Sequence, residues 1–344
     1  MTEIKVILAG VGRVGKDVAR LLSARSNYRI VAAYTRNLKL SGQDLGTLAG
    51  IRSLGVTVTL DREVALRQPA DVLVVATTSF LKEVAADLRL GIEHGLNVIT
   101  TAEEAAFPWL IDEQIAHELD HLARDRQVSI LGVGLNPGFI FDALLLTATG
   151  IAWDVERIRV RRVVDVSRFS ATIQRRLGIG FSRAEFEAGV KSGSISGHIG
   201  FPQSFTLTSK CLGRELERIE KAFEPLLAEQ LYVNEHLKVE AGQTAGFIQR
   251  STGLVGGKSW IAAEFIAHIA PASINLATED AISIEGYNSM NLTISPGCNP
   301  QRGSAAMVAN CIPRVIEAQP GFLTVADLAI PFARNTSQEL LQQS

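Results

Sequence analysis

Cysteine is scarce in this chain. The 344 residues contain three cysteines, Cys211, Cys298 and Cys311, an odd number with no CxxC spacing. A disulfide-stapled secreted scaffold is thereby excluded, and reduced thiols in a cytosol are expected. The sequons at Asn291 and Asn335 then carry no meaning. No apolar run reaches the ~18 residues of a membrane span. Met1 to Lys5 passes straight into a strand-like run, without the charged and apolar regions of a secretory signal. Charge of one sign is also lacking: 34 Lys and Arg face 36 Asp and Glu, for a net charge of −2. The basic residues are scattered, so no nucleic-acid footprint forms and small or neutral partners fit better. With 47% hydrophobic and 20% charged residues, disorder on a large scale is excluded too. No internal repeat or low-complexity segment is present.

A chain of this length exceeds one hydrophobic core, so two domains are expected. The first third alternates short apolar runs with helical patterns, the signature of a parallel sheet wound by helices. Strands are predicted at 4–9, 29–34, 71–77, 97–100 and 128–131. The run Asp71 to Thr77 is nearly all apolar, as in a strand covered on both faces. From Ser79 to His94, Phe80, Val84, Leu88 and Ile92 recur four apart and Gly95 follows, which reads as a crossover helix. The fold class is therefore α/β, an N-terminal Rossmann doubly wound parallel sheet with a second α+β domain on a mixed or antiparallel sheet.

After Asn136-Pro137-Gly138 the pattern changes. A long half-exposed strand (155–166) precedes helical patterns at 171–177, 183–191 and 204–217. Segments 248–254, 258–269, 280–287 and 292–294 then alternate like an antiparallel meander. Asn299-Pro300 reads as a turn, and a last helix, near 303–316, returns to the first domain. The domains expected are 1–137 for the dinucleotide, 138–301 for substrate and dimerisation, and 302–344 for the returning helix and a polar tail after Arg334 that frays.

Gly10-Val11-Gly12-Arg13-Val14-Gly15 spells GxGxxG between a strand and a helix near 16–24, the context in which this pattern binds a dinucleotide. Gly10 permits the tight turn, Gly12 lets backbone approach the pyrophosphate, and Gly15 lets helix and strand pack closely. The helix N-terminus supplies amide donors to the phosphates.

An NAD-selective site places a carboxylate at the end of the second strand. Here stands Ala33-Tyr34-Thr35-Arg36-Asn37, with Lys39 nearby and no acid. Arg36 suits a 2′-phosphate, although a solvated loop arginine fits the same position. NADP is the expected cofactor, with NAD also accepted.

Ligands in such sheets lie beyond the C-terminal ends of the strands. Thr77, Thr78, Ser79, Thr101 and Asn136 are therefore expected at the nicotinamide half of the cofactor. Two adjacent carboxylates, Glu103 and Glu104, fall in the same loop region. Thr101 and Glu104 match the capping-box spacing, which occupies Glu104 and turns Glu103 to the cleft; a cap at Thr100 reverses these roles. A carboxylate there suits a cationic electrophile or an amine that must lose a proton, whereas an ordinary first-turn glutamate explains the same signal.

His117-Glu118-Leu119-Asp120-His121 matches the HExxH zinc-protease motif. Both histidines lie off the apolar stripe Ile111, Ile115, Leu119 and Leu122, and no third ligand follows, so no metal is expected.

Taken together, the chain resembles the 2,4-diaminopentanoate dehydrogenase and native amine dehydrogenase family, within the dihydrodipicolinate-reductase-like group. The similarity runs from Ile4 to about Pro331. It rests on Gly10–Gly15, Gly42-Gln43-Asp44-Leu45-Gly46, Ala76-Thr77-Thr78-Ser79-Phe80-Leu81, Thr101-Ala102-Glu103-Glu104 with Phe107-Pro108-Trp109, Gly134-Leu135-Asn136-Pro137-Gly138-Phe139, Gln174–Gly180 and Ala305–Val315. The His-His…Lys signature of the reductase proper is absent. The resemblance implies reversible oxidative deamination of an amine to a ketone or aldehyde plus ammonia. It implies an acid–base glutamate in the loop 101–104, and a homodimer to whose interface the second domain's sheet contributes. A substrate is expected between Asn136, Phe139 and the second domain. Arg162, Arg168, Gln174 and His198 are further polar candidates for substrate contact, with a structural role in the second domain the favoured reading for each. Trp153, Phe141 and Ile179 fit either pocket wall or core. The rival readings are an ammonia-independent carbonyl or imine reductase and an NAD(P)-binding sensor without turnover.

Overall fold

The computed structural model describes residues 3–333. Asn335 and the tail from Arg334 lie outside them. The chain alternates β1 (Ile4–Ala9), α1 (Arg13–Ser23), β2 (Tyr28–Tyr34), α2 (Leu45–Ala49), β3 (Val58–Thr59), α3 (Arg62–Leu66), β4 (Val72–Val75), α4 (Leu81–Glu93), β5 (Asn97–Thr100), α5 (Glu113–Asp125) and β6 (Ser129–Gly132). A second group follows: α6 (Leu145–Thr149), β7 (Arg157–Asp165), α7 (Ala171–Arg176), α8 (Arg183–Ser192), α9 (Phe201–Cys211), β8 (Arg218–Leu227), β9 (Tyr232–Val233), β10 (Lys238–Val239), β11 (Thr244–Val255), β12 (Lys258–His268), β13 (Glu279–Glu285) and β14 (Met290–Ile294). The chain closes with α10 (Pro300–Ile316) and β15 (Gly321–Leu323).

The first unit holds a seven-stranded sheet of order β15-β6-β5-β4-β1-β2-β3, with every pairing parallel. Its central strands β1 and β4 bury Val6 to Ala9 and Val72 to Val75 completely, as strands covered on both faces must. From β1 the chain winds outward to β2 and β3, then crosses back to β4, β5 and β6. The winding direction therefore reverses between β1 and β4, where such sheets leave a crevice for ligand.

The second unit is a six-stranded sheet of order β14-β13-β7-β12-β11-β8. Only β7 and β12 run parallel; the other neighbours are antiparallel, so the sheet is mixed rather than a plain meander. One face packs on the helices through a core that includes Phe186, Phe247 and Ile179. The opposite face carries a chain of ion pairs across five strands. Glu224 meets Arg250 at 2.9 Å and Arg250 meets Glu264 at 3.2 Å. Glu264 then meets Arg161 at 3.3 Å, and Arg161 meets Glu279 at 2.6 Å. Small side chains, among them Ala262, Ala281 and Ser283, floor a trough of about 550 Å³ on this face.

Three differences from the sequence reading have local causes. The helix expected over 204–217 stops at Cys211, because Gly213 turns into the left-handed region (φ +65°) and Arg218 onward pairs with β11. The first unit extends to Leu144 and resumes at Asn299, not at 137 and 302. The helical turn Phe139–Leu144 stays with it because Gly138 N donates to Asp142 Oδ2 at 2.6 Å and Phe141 N to Asn136 Oδ1 at 3.1 Å. Asn299-Pro300 is not merely a turn: the Asn299 side chain caps α10, accepting from Arg302 N at 3.0 Å, with Pro300 as first helical residue. No disulfide joins Cys211, Cys298 and Cys311, and no described helix is long and apolar enough to cross a membrane.

Candidate active site

The loop Gly10–Gly15 lies at the switch between β1 and β4. Gly10 sits at φ +91°, and a Cβ there would strike the Ala76 carbonyl and the Thr77 side chain. A Cβ on Gly15 would strike the Gly10 carbonyl, so helix and turn are in close contact. Gly12 differs: a Cβ there would meet nothing within 4 Å. It is the N-cap of α1 and makes no side-chain cap, which leaves the first-turn amides of Arg13, Val14 and Gly15 with no side-chain acceptor from the cap residue. Val11 is buried beneath the loop. Open backbone plus a helix N-terminus without a side-chain cap fits a pyrophosphate.

At the end of β2 the turn is tightly ordered. Thr35 Oγ1 accepts from Asn37 N at 3.2 Å, and Asn37 Oδ1 accepts from Lys39 N at 3.0 Å. Arg36 is not a freely solvated loop arginine. Its Nη2 donates to Asp87 Oδ2 at 2.9 Å and to the Glu83 carbonyl at 3.1 Å, both on α4.

The reactive edge joins two loops. Ser79 Oγ donates to Glu103 Oε1 at 3.0 Å, while Glu104 N donates to the Ser79 carbonyl at 3.1 Å. Glu104 Oε2 in turn accepts from Leu81 N, the first helical amide of α4, at 2.8 Å. Glu104 is thus a cap, but of the neighbouring helix. The capping box proposed between Thr101 and Glu104 does not form, because Glu103–Ala106 is a short 3₁₀ turn with Ala102 at its N-cap. Thr77 is exposed at this edge, and Thr78 and Thr101 are half-buried there.

The third loop is held by its own polar groups and by α10. Ser304 Oγ accepts from Leu135 N at 3.1 Å. Asn136 uses Oδ1 on Phe141 N, whereas its buried Nδ2 donates to no described residue. Phe139 is half-buried beside it and Phe141 is core. An orphaned buried amide donor, with the open turn at Gly12, fits a nicotinamide dinucleotide better than an empty glycine turn.

The polar candidates of the second unit take structural roles. Arg162 is buried, pairs with Asp280 at 3.2 Å and donates to the Cys298 carbonyl at 3.0 Å, so its guanidinium is committed to the fold. His198 is clamped by Gln249, which accepts from its amide at 2.7 Å and donates to its carbonyl at 3.0 Å. The ring stands edge-on to Phe201, with centroids 4.4 Å apart. Loss of hydration, then the positive charge of Arg162, lowers its pKa to about 3. It is a neutral packing group, not a substrate-facing acid. Gln174 is buried and ties the β7–α7 turn through the Ser167 and Phe169 carbonyls. Arg168 is exposed on that turn. Trp153 is exposed and stacks on Tyr287, while Ile179 is core. His117 and His121 lie on the exposed face of α5, where Glu118 bonds to Arg89 at 2.8 Å.

Comparison with known proteins gives this site its family. Residues 139–343 match the 2,4-diaminopentanoate dehydrogenase C-terminal domain, and residues 4–107 the dihydrodipicolinate reductase N-terminus. The chain is 32% identical over 337 residues to a 2,4-diaminopentanoate dehydrogenase of Acetoanaerobium sticklandii, covering 97% of this chain and 95% of that protein. The chain belongs to the 2,4-diaminopentanoate dehydrogenase family. It is also 23% identical to an amine dehydrogenase of Streptomyces virginiae, over 95% of this chain and 96% of that one. The structure of an amine dehydrogenase from Mycobacterium smegmatis, 27% identical, superimposes with a TM-score of 0.84 over 97% of this chain and 98% of the other. As a member of this family the chain is an NAD(P)-dependent oxidoreductase.

Within this family member, sequence reasoning missed two partners at the site. Asp87 lies on the same side of α4 as Val84 and Leu88, and nothing in its spacing announces two arginines. Ser304 is remote from Leu135 in the chain. Ser79, expected at the nicotinamide half of the cofactor, donates its hydroxyl to Glu103.

Proposed function

We propose that this protein is an amine dehydrogenase that interconverts an amine with a ketone or aldehyde plus ammonia. The observation that carries the reading is the division of labour between adjacent carboxylates: Glu104 is bound to α4, and Glu103 is held by Ser79 at the edge beyond β4 and β5. In the aminating direction, Glu103 takes a proton from ammonium, and the ammonia released adds to the carbonyl carbon as one of its own protons passes to the carbonyl oxygen. Glu103 then gives its proton to the departing hydroxyl, which leaves as water and gives an iminium. The carboxylate then stabilises the iminium charge. The nicotinamide dinucleotide supplies hydride chemistry when bound. Gly10 to Gly15 would hold its pyrophosphate, and Asn136 Nδ2 and Phe139 would orient the reacting groups. Arg36, with no carboxylate at the end of β2, supports a preference for NADP with NAD also accepted. The self-complementary chain of alternating charges on the open face of the second sheet supports a homodimer. Three reduced thiols fit a cytoplasmic setting.

The test is absorbance of NADPH or NADH with a panel of small ketones and aldehydes, each with and without ammonium. Oxidation that requires ammonium bears the proposal out. Oxidation without ammonium indicates a carbonyl reductase. Silence over a broad panel despite tight cofactor binding indicates a sensor.

A further inference from the structure

Asp87 occupies the second turn of α4, on the side that packs Val84 and Leu88 into the core, and it is 1% exposed. A carboxylate at such a position costs stability unless it is paired, and an apolar side chain would serve packing as well. Three groups converge on it. Tyr34 Oη, at the last residue of β2, donates to Oδ1 at 3.1 Å. Arg36 Nη2 meets Oδ2 at 2.9 Å, and Arg62 Nη1, at the first residue of α3, lies 3.6 Å from Oδ1. The two arginine side chains are 60% and 44% exposed, so the carboxylate lies beneath them and they face solvent. Burial and the neighbouring carboxylate raise the Tyr34 pKa, so the phenol is neutral and the cluster carries one net positive charge. Each guanidinium presents five N–H donors, most of them outside these contacts.

We propose that Asp87 is a specificity-determining positioning residue, which fixes Arg36 and Arg62 as a pair of guanidiniums that takes the 2′-phosphate of NADP(H). The inference rests on the cofactor reading above and extends it to two residues, Asp87 and Arg62, outside the glycine loop and the β2 turn. An arginine on a solvated loop must be ordered when it binds a phosphate, whereas an arginine anchored from behind is ordered beforehand. Asp87 supplies the anchor without presenting its charge to the anion, because it is buried under the groups it holds. The turn above agrees: Thr35 to Leu40 carries no acid to repel a phosphate, and the Thr35 hydroxyl is engaged by Asn37 N.

Calorimetric titration with 2′,5′-ADP and with 5′-ADP, two probes that differ in the 2′-phosphate, tests this without reference to turnover. The wild-type chain is expected to bind 2′,5′-ADP more tightly. Asp87→Asn and Arg62→Ala should each weaken 2′,5′-ADP by about tenfold to a hundredfold, the range for loss of a charged hydrogen bond, and leave 5′-ADP unchanged. Equal binding of both probes by the wild-type chain would overturn the NADP reading itself. A wild-type preference that survives both substitutions would leave NADP standing and overturn the role of Asp87 and Arg62. Arg62→Ala, at an exposed helix start, keeps the test decisive if Asp87→Asn fails to fold.

Discussion

Ser79 Oγ reaches Glu103 Oε1 across 3.0 Å, tying the loop after β4 to the loop after β5. The same pair of loops is tied a second time by Glu104, through the Leu81 amide. One glutamate is therefore held by a hydroxyl of the neighbouring loop. Its neighbour closes a helix end. On this difference rests the proposal that Glu103 serves chemistry and Glu104 architecture, and it can be measured.

Glu103→Gln keeps the size of the side chain and removes its basicity. We expect turnover to fall by about a hundredfold to ten-thousandfold, the usual contribution of a general acid–base group. The dissociation constant for NADPH, followed by fluorescence, should not change. Turnover at the wild-type rate would remove Glu103 from the mechanism.

Glu104→Ala should act on stability instead. It leaves the first amide of α4 without its acceptor, at a cost of about 1 kcal/mol, and thermal denaturation should show a lower Tm. Activity per folded molecule should survive far better than in Glu103→Gln.

In the second unit, Arg162→Ala leaves Asp280 buried and unpaired. Breaking such a pair from one side costs about 3 to 5 kcal/mol. The joint replacement Arg162→Met with Asp280→Leu should recover most of that loss in urea denaturation. If the single substitution is as mild as the double, Arg162 is not the structural ion-pair partner described here.

His198 gives a pH signature. Its pKa in the folded protein is about 3, below the 6.5 of an ordinary histidine. Below that upper value the unfolded chain binds a proton that the folded chain refuses, so stability falls as pH drops from about 6.5 toward 3. Above pH 7 neither state is charged and no penalty remains. His198→Gln should therefore flatten the loss of Tm between pH 7 and pH 5, a difference of about 2 kcal/mol by pH 5. Parallel curves for wild type and variant would show that His198 titrates normally.

Much of the first unit was legible because its signals are local. The strand Ile4–Ala9 coincides with the apolar run that predicts it, and the glycine pattern lies where strand meets helix. Elements with little local signal were missed: β3 has two residues and β15 three, and each exists because a neighbouring strand pairs with it. β8, whose Lys and Glu residues obscure its alternation, is a strand because β11 pairs along its length.

The site divides in the same way. The sequence alone determined which residue types stand at the sheet's C-terminal edge, since strand periodicity and turn chemistry follow from steric rules that act over a few residues. Tertiary structure alone decided what each side chain does there. A capping spacing pointed Glu104 to its own turn, yet a helix remote in the chain offered a better-placed amide. Arg36 read from its loop either as a phosphate ligand or as a solvated arginine, and only packing brought it to a buried carboxylate 51 residues away; Arg162, a candidate substrate ligand, found Asp280 instead. Hydrogen bonds and ion pairs have no sequence period, because their partners are brought together only when distant elements pack.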